Sequence, residues 1–267
     1  MKDQFHREIS EGNRFEFGKN WQRFLASLND DNIKAAELSL KTVLEVESLA
    51  GKTFLDIGSG SGLHSLVVRQ LGAEVYSFDY DPYSVKCTKY LKNKYFPEDY
   101  QWIVQEGSVL DVEYLKSLEK FDIVYSWGVL HHTGDMWKAI SYATSLVSEK
   151  GQLFIAIYNR HWTSSIWKVV KVIYNKSPYF IKKWLVWLFT GIIFIGAFIT
   201  TGKNPLKGER GMEFQYDIVD WLGGYPYEYA TIKEIVNFVE NIGFKIVKII
   251  PTAGWTGCNQ FVFEKRD

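Results

Sequence analysis

The chain has little cysteine, no excess charge of either sign and no apolar segment at its start. Its 267 residues include 2 cysteines, Cys87 and Cys258, which are too few for a disulfide framework, so we expect a reducing, cytoplasmic setting. The 31 basic side chains balance 31 acidic ones, which disfavours a nucleic-acid partner because such a partner usually selects a basic excess or stripe. Residues Met1 to Arg7 are polar and lack the apolar core of a signal peptide.

Clusters of metal-ligating residues are also missing from the sequence. No group of His, Cys and Asp has the spacing of a metal site, so a metal-dependent enzyme is disfavoured, and Cys258 is interpreted as a packing residue. Hydrophobic and aromatic residues are abundant, at 46% and 16% of the chain. This composition and length predict a large core in one α/β domain with an insertion, or in two small domains.

A short apolar segment followed by three glycines is the feature around which the chain is organised. Residues 53–57 are β-prone, Gly58, Gly60 and Gly62 follow, and a helix is expected from Leu63. Glycine tolerates positive φ and lets the backbone approach a ligand closely. Ligands of open α/β sheets bind outside the carboxyl ends of the strands, so we expect a binding turn here, although such turns also serve packing alone.

Strands and helices alternate after this turn. The expected strands are 54–57, 74–78, 102–105, 121–125 and 153–157. The expected helices are 21–28, 33–44, 63–70 and 82–93. Alternation of this kind predicts a parallel sheet with right-handed crossovers. Residues 231–242 then predict a helix, and 244–250 with 260–263 predict a hairpin at a sheet edge.

An uncharged run interrupts the alternation. It extends from Trp184 to Gly202, with Lys182 and Lys183 before it and Lys203 after it. Its length is near the ~18–20 apolar residues of a membrane span, but a span would separate the last strands from their sheet. A buried lid helix or the helix of a homodimer is therefore favoured, a peripheral membrane contact through 184–202 comes second, and a span comes last.

The glycine spacing and the residues after the second and third strands indicate a nucleoside ligand. G-x-G-x-G differs from the dinucleotide fingerprint G-x-G-x-x-G, which disfavours a nicotinamide dehydrogenase. Asp79 can accept hydrogen bonds from both ribose hydroxyls; it could instead cap the next helix, for which Asp81 is better placed. Tyr80 can lie against an adenine face, Ser108 can bond an adenine edge, and Val109 can pack on the ring.

Four motifs in order carry a family resemblance. Leu-Asp-Ile-Gly-Ser-Gly-Ser-Gly, Ser-Phe-Asp-Tyr-Asp, Gly-Ser-Val-Leu-Asp and Phe-Asp-Ile-Val-Tyr-Ser-Trp-Gly-Val-Leu-His-His resemble the class I S-adenosylmethionine (SAM)-dependent methyltransferases, most of all their bacterial small-molecule branch with the quinone methylases. The resemblance covers about 50–160 and implies an α/β, Rossmann-like, seven-stranded, mostly parallel sheet with an antiparallel last strand. It departs from the family at Ser108, where Asp is common. The cofactor contacts that motifs and resemblance together predict are Asp56, Gly58, Ser59, Gly60, Asp79, Tyr80, Ser108, Val109 and Trp127.

The resemblance also implies a division of the chain. Residues 1–50 would form an N-terminal helical segment, in which 15–21 is either a flap over the glycine turn or an aromatic staple onto the sheet. Residues 51–160 would form the SAM-binding core, and 161–228 a helical insertion that makes an acceptor lid. Residues 229–267 would complete the sheet with a helix and two strands.

Methyl transfer to a hydroxyl requires a group that removes its proton, and two pairs of side chains are candidates. His131 and His132 follow the fourth strand; neighbours in a loop face different ways, and we favour His132 as base, while either can be a structural histidine. Asp217 and Asp220 share one face if helical. They would orient acceptor hydroxyls or act as base, or else pair with nearby basic side chains.

These observations predict a cytoplasmic SAM-dependent methyltransferase with a small-molecule acceptor. A looser similarity of the back half, around Arg210, 217–228 and 257–261, to bacterial proteins of surface-glycan modification favours a sugar or capsule-type oxygen. The alternatives are a prenylated quinone or lipid-like acceptor at the membrane surface, and a non-catalytic SAM-binding protein.

Overall fold

The computed structural model describes residues 2–201, 214–253 and 257–266, without the side chains at 2, 192–201, 214–217 and 220. The strands are β1 (Thr53–Ile57), β2 (Glu74–Asp79), β3 (Trp102–Glu106), β4 (Phe121–Trp127), β5 (Val147–Tyr158), β6 (Phe244–Ile250) and β7 (Cys258–Lys265). The helices are α1 (Lys2–Ser10), α2 (Phe17–Ser27), α3 (Asp30–Leu44), α4 (Leu63–Gln70), α5 (Pro82–Tyr95), α6 (Val112–Lys116), α7 (Met136–Ser145), α8 (Ser164–Lys176), α9 (Tyr179–Thr201), α10 (Phe214–Gly223) and α11 (Ile232–Asn241), with a 3-10 turn at Leu130–His132.

The strands form one seven-stranded sheet in the order β3-β2-β1-β4-β5-β7-β6. The first five strands pair in parallel, and β7 is antiparallel to both β5 and β6. The predicted fold class, including the antiparallel last strand and the edge hairpin, is confirmed. Since β1 sits between β2 and β4, the glycine turn after it lies where the chain order of the sheet reverses, which is the usual ligand position of such folds.

Both faces of the sheet are covered, as a mainly parallel sheet requires. Phe54 and Leu55 are neighbours on β1 with no exposed surface, and they belong to different core clusters because successive strand residues point to opposite faces. On one face α3 and α4 supply residues such as Leu40 and Leu66, and on the other α7 and α11 supply Ile140 and Ile235. The sheet is thus fixed from both sides, and its carboxyl edge is a rigid base for a site.

Two elements differ from the prediction. The strand expected at 153–157 begins already at Val147, because Phe121 pairs with Val147 and Ile123 with Gln152, so a bulge absorbs the polar residues between. Residues 2–10, read from sequence only as a polar stretch with scattered aromatic residues, form α1, whose Phe5 is 1% exposed. Apolar positions are sparse in this segment, so its helix depends on long-range packing.

The insertion after β5 forms a helical layer. Helices α8, α9 and α10 share a small core around Tyr174, Ile218 and Leu222, none of which is more than 5% exposed. In the described ranges, no helix combines the length and the apolar character needed to cross a membrane. The layer places Trp221 of α10 at the edge of the cavity described next.

Candidate active site

A cavity of about 720 Å³ lies at the carboxyl ends of β1, β2, β4 and β5. Its volume falls within the ~300–1,000 Å³ typical of small-molecule sites. The glycine turn, the end of β2 and the loop after β3 line one part of it. His132, Tyr158, Trp221 and Cys258 line another part.

The glycine turn after β1 needs glycine for two reasons. Gly58 and Gly60 have φ of 78° and 57°, in the left-handed region that side chains disfavour. A Cβ on Gly58 would lie 2.4 Å from a methyl of Val129, and one on Gly60 would lie 3.0 Å from the indole nitrogen of Trp21. The bare backbone therefore forms part of the cavity wall, as the sequence predicts for a binding turn.

Asp56 lies at the base of this turn, 3% exposed. Its Oδ2 accepts a hydrogen bond from Ser65 Oγ at 2.5 Å, and Ser65 is linked in turn to Ser77 at 2.8 Å. Burial raises the pKa of Asp56 to about 7, against the opposing effect of the Ser65 bond. Asp56 is thus a carboxyl group that changes charge near neutral pH.

Asp79, at the end of β2, lines the same part of the cavity as the glycine turn and the loop after β3. One carboxylate oxygen accepts from the backbone N–H of Gly60 at 2.9 Å, and the other from that of Asp81 at 2.8 Å. Burial, with a smaller effect of the Asp81 charge, raises its pKa to about 7. The side chain of Asp81 accepts from Tyr83 N at 2.8 Å at the start of α5, so the predicted cap is Asp81, which leaves Asp79 directed at the cavity.

The nine predicted cofactor residues all line this cavity. Ser108 Oγ accepts from the Leu110 N–H at 3.2 Å, which shapes the loop after β3. The Trp127 indole donates to Gln260 at 3.3 Å and is thereby oriented. Tyr80 lies under the Arg14 guanidinium, 4.7 Å from the ring centroid, and burial raises the pKa of its hydroxyl to about 12. The structure therefore brings all nine predicted residues to one cavity, and their individual contacts to a ligand stay predictions.

The N-terminal segment covers the cavity, and sequence reasoning named only part of it. Phe15, Phe17 and Trp21 line the cavity, so the geometry favours the flap over the staple. The segment is fastened by Gly18 N, which donates to Asp81 at 2.7 Å. Arg14 was missed: its guanidinium donates to Glu8 at 2.6 Å and to the His132 carbonyl at 3.1 Å. The aromatic residues scattered through a polar segment were the available signal.

The two histidines occupy different positions. His132 lines the cavity, and its Nδ1 lies 2.6 Å from the Pro226 carbonyl oxygen. A carbonyl only accepts, so Nδ1 carries the proton and Nε2 keeps its lone pair. His131 is fully buried, with its ring centroid 4.1 Å from that of Tyr158, and it is not part of the cavity wall. Of the two histidines, the geometry therefore brings His132 to the cavity and leaves His131 behind it.

Two basic side chains, Lys171 and Arg14, act on the charge of His132. Burial, followed by the charges of Lys171 and Arg14, lowers the pKa of His132 to about 3, although the bond to Pro226 opposes this. Burial also keeps the pKa of His131 well below its ordinary value. His132 is therefore neutral at physiological pH.

Lys171 of α8 is the source of much of this field and was not predicted. It is fully buried, donates to the Trp221 carbonyl, and has its ammonium 4.8 Å from the Tyr227 ring centroid and 5.6 Å from that of Tyr158. Trp167, Lys171 and Tyr174 follow at spacings of four and three, so a lysine on the inner face of an amphipathic helix was the overlooked signal.

The structure does not describe all of the remaining polar candidates of the insertion. Asp217 and Asp220 fall on α10, and their side chains lie outside the described residues, as does Arg210. Glu228 accepts from the Met136 N–H at 3.0 Å and so serves the start of α7. Within the described ranges, no three His, Cys, Asp or Glu side chains are grouped as metal ligands.

Comparison with known proteins finds similarity to methyltransferases. A family model described as a methyltransferase domain matches residues 21–249. A ubiquinone biosynthesis O-methyltransferase of Pelagibacter ubique is 29% identical over 160 residues, covering 59% of this chain and 57% of that protein. One of Stutzerimonas stutzeri is 34% identical over 116 residues, covering 43% and 47%. The chain thus spans about half the length of the curated relatives it matches.

Solved structures agree in fold. A magnesium protoporphyrin IX methyltransferase from Synechocystis with bound SAH (the demethylated cofactor) has a TM-score of 0.56 at 16% identity, with 92% of this chain and 93% of that chain covered. A SAM-dependent methyltransferase from Aquifex aeolicus has a TM-score of 0.52 at 13% identity, with 92% and 98% covered. At such low identity these likenesses concern the fold alone.

Proposed function

This chain belongs to the methyltransferase-domain family, and from that premise we propose that it methylates a phenolic oxygen of a quinone-type acceptor. It is a SAM-dependent methyltransferase, so the non-catalytic alternative is set aside. Its curated relatives carry the name ubiquinone biosynthesis O-methyltransferase, which supports the quinone alternative. The capsule-type sugar favoured from sequence has no support among them.

The residues around the glycine turn fit the cofactor. The turn offers backbone without side chains, and a Cβ at Gly58 or Gly60 would run into Val129 or Trp21, which also line the cavity. Asp79 offers carboxylate oxygens at the end of β2, the position at which a ribose is bound in folds of this kind. In this proposal Asp79 holds the ribose, while Tyr80, Ser108 and Val109 surround the adenine.

The single observation that carries the choice of acceptor is the neutral His132 in a positive field. A base whose pKa is lowered to about 3 takes a proton poorly from a weakly acidic alcohol. A phenol, with a pKa of ~10, ionises far more readily, and the charges of Lys171 and Arg14 that oppose an imidazolium favour a phenolate. The electrostatics therefore support a phenolic hydroxyl over a sugar hydroxyl.

The chain's own groups then have simple roles. Bound SAM supplies a methyl group on a sulfonium, which an oxygen nucleophile attacks in line. His132, held by Pro226 through Nδ1, accepts a hydrogen bond at Nε2 from the acceptor hydroxyl and orients its oxygen. Because His132 is a poor base, the phenolic proton would pass to solvent before the flap closes, and Lys171 would stabilise the phenolate that remains. The flap around Phe17 and Trp21 excludes water from the cavity.

The test is methyl transfer from labelled SAM to paired soluble acceptors, a catechol and a glycoside of similar size, read by mass spectrometry. We expect methylated catechol and no methylated glycoside. The variant His132→Ala should lose most of this activity and still bind SAH, which shows that its cofactor half is intact. Methylation of the glycoside, or of neither acceptor by protein that binds SAH, would contradict the proposed acceptor class.

A further inference from the structure

The outer side of α8 and of the first half of α9 carries an unusual concentration of exposed apolar side chains. On α8, Ile166, Val169 and Ile173 recur at spacings of three and four and are 53–57% exposed. The full set, here called the outer face, is Trp162, Ile166, Val169, Ile173, Tyr179, Phe180, Trp184 and Trp187. Single exposed apolar residues are ordinary, but a continuous succession on two consecutive helices indicates a surface that is covered in use.

The inner sides of the same helices are already occupied. Tyr174 of α8 is buried against Ile218 and Leu222 of α10, and Leu185 and Phe189 of α9 pack on the same small core. Both helices therefore turn their inner sides to α10, and the outer face is directed away from it. Phe15 of the N-terminal segment packs on the same core.

The charged side chains on α8 and on the first half of α9 are all lysines, while Glu11 lies near Lys176 and Lys182, and Glu16 acts on Lys182. Residues 150–208 contain no aspartate or glutamate, although the whole chain has a formal net charge of zero. Lys168, Lys176 and Lys183 are exposed beside the apolar residues, and Lys182 is partly exposed. Basic residues flanking an apolar helix side with tryptophan and tyrosine match an anionic lipid surface, where the rings lie at headgroup level and the lysines meet lipid phosphates.

We propose that the outer face binds the surface of an anionic lipid bilayer, with α8 and the first half of α9 lying in the headgroup region. A second copy of this chain is a poorer occupant, because a two-fold contact would bring the same lysines of both copies together. The surface is wider than the stretch 184–202 named from sequence, since it includes α8. The binding does not depend on the proposed acceptor.

If the proposed function holds, lipid binding by the outer face would also bring the cavity close to a lipid-dissolved acceptor. The inner side of α8 carries Lys171, which contacts Tyr158 and Trp221, and both of these line the cavity. The lipid-facing and acceptor-facing surfaces are thus the two sides of the same helix. A lipid-dissolved phenol would reach the cavity beside the bilayer surface.

The experiment is flotation of the full chain with vesicles of phosphatidylcholine alone or of phosphatidylcholine rich in phosphatidylglycerol. We expect flotation with the anionic vesicles, weakened by salt and by neutral vesicles. The double variant Trp184→Ser/Trp187→Ser should reduce partitioning at least tenfold, and Lys176→Gln/Lys183→Gln should reduce it by about fivefold per lysine. Tyr100→Ser is the matched control, since Tyr100 is 87% exposed elsewhere on the surface and should leave flotation unchanged.

Binding of SAH and methylation of a soluble catechol, measured on the same variants, separate this inference from the proposed function. Both should stay at the level of the unmodified protein, since the substituted side chains are exposed and outside the cavity. Absence of flotation with anionic vesicles would overturn the inference even if catechol is methylated. A dimer that dissociates in the tryptophan variant, without lipid binding, would assign the face to a second copy instead.

Discussion

The affinity for the demethylated cofactor should depend steeply on pH through Asp79. The pKa of this carboxyl is raised to about 7 in the ligand-free cavity, mainly by burial. The ribose hydroxyls are donors and bind the ionised form, so protonation competes with the ligand. With one such proton, the dissociation constant rises about tenfold at pH ~6 and about 100-fold at pH ~5 relative to pH ~8, and the second value corresponds to ~2.7 kcal/mol.

Isothermal titration of SAH across this range measures the effect, and two buffers of different ionisation enthalpy report the proton released on binding. Asp79→Asn removes the titrating group. It should weaken binding at pH ~8 by ~1.5–3 kcal/mol, the usual contribution of a charged hydrogen-bond acceptor, and should leave a much flatter pH profile.

Asp56 has the same raised pKa of about 7 and must be separated from Asp79. Asp56→Asn is the matched control, because it removes the second carboxyl whose pKa is raised to about 7. We expect this variant to keep the steep profile. A profile that is flat in the unmodified protein, or one that Asp56→Asn abolishes and Asp79→Asn preserves, would refute the reasoning.

Four further outcomes are expected. His132→Asn should lower the single-turnover methylation rate by ~10²-fold without changing SAH affinity, because the hydrogen bond to Nε2 that positions the acceptor oxygen is lost. Lys171→Met should raise the pKa of His132 toward its ordinary value and slow weakly acidic phenols most, as a series of substituted phenols would report. Gly60→Val should reduce SAH affinity by at least tenfold in titration, because of its left-handed φ and its contact with Trp21. In denaturant titrations, the unfolding free energy of the ligand-free protein should rise relative to that of Asp79→Asn as the pH falls from ~7 toward ~4. The pKa of Asp79 is higher in the folded than in the unfolded protein, so the stabilisation that its protonation gives is present at low pH and is lost as the pH rises through ~7.

Contrary results have clear meanings. Unchanged turnover in His132→Asn would remove that residue from the reaction. If Lys171→Met slows every phenol of the series by the same factor relative to the unmodified protein, the charge of Lys171 does not reach the acceptor oxygen. Full SAH affinity in Gly60→Val would place the cofactor elsewhere, and an identical pH dependence of stability in Asp79→Asn would mean that Asp79 does not titrate near neutrality.

The part of the cavity around the glycine turn was predictable because its determinants are local in sequence. A β-prone segment, three glycines and a carboxylate about 20 residues later define a turn and a strand end whose relative position follows from the βαβ unit. Asp79 and Ser108 could therefore be named before the structure. The same holds for Asp81, whose place before Pro82 predicts a helix cap.

The surroundings of His132 depend on contacts between distant parts of the chain. Arg14 reaches His132 across 118 positions, and Lys171 reaches Trp221 across 50. Neither contact leaves a local sequence pattern. Which of the two histidines faces the cavity also depends on a distant contact, the bond of His132 to Pro226, 94 positions away. Long-range packing of this kind also explains why α1 was missed.

One guanidinium joins the two ends of the cavity. Arg14 lies on the Tyr80 ring near the glycine turn and donates to the His132 carbonyl in the other part of the cavity, and it is itself held by Glu8 of α1. Withdrawal of the N-terminal segment must break these contacts together. We therefore expect exchange of SAH for fresh SAM to require movement of the whole segment.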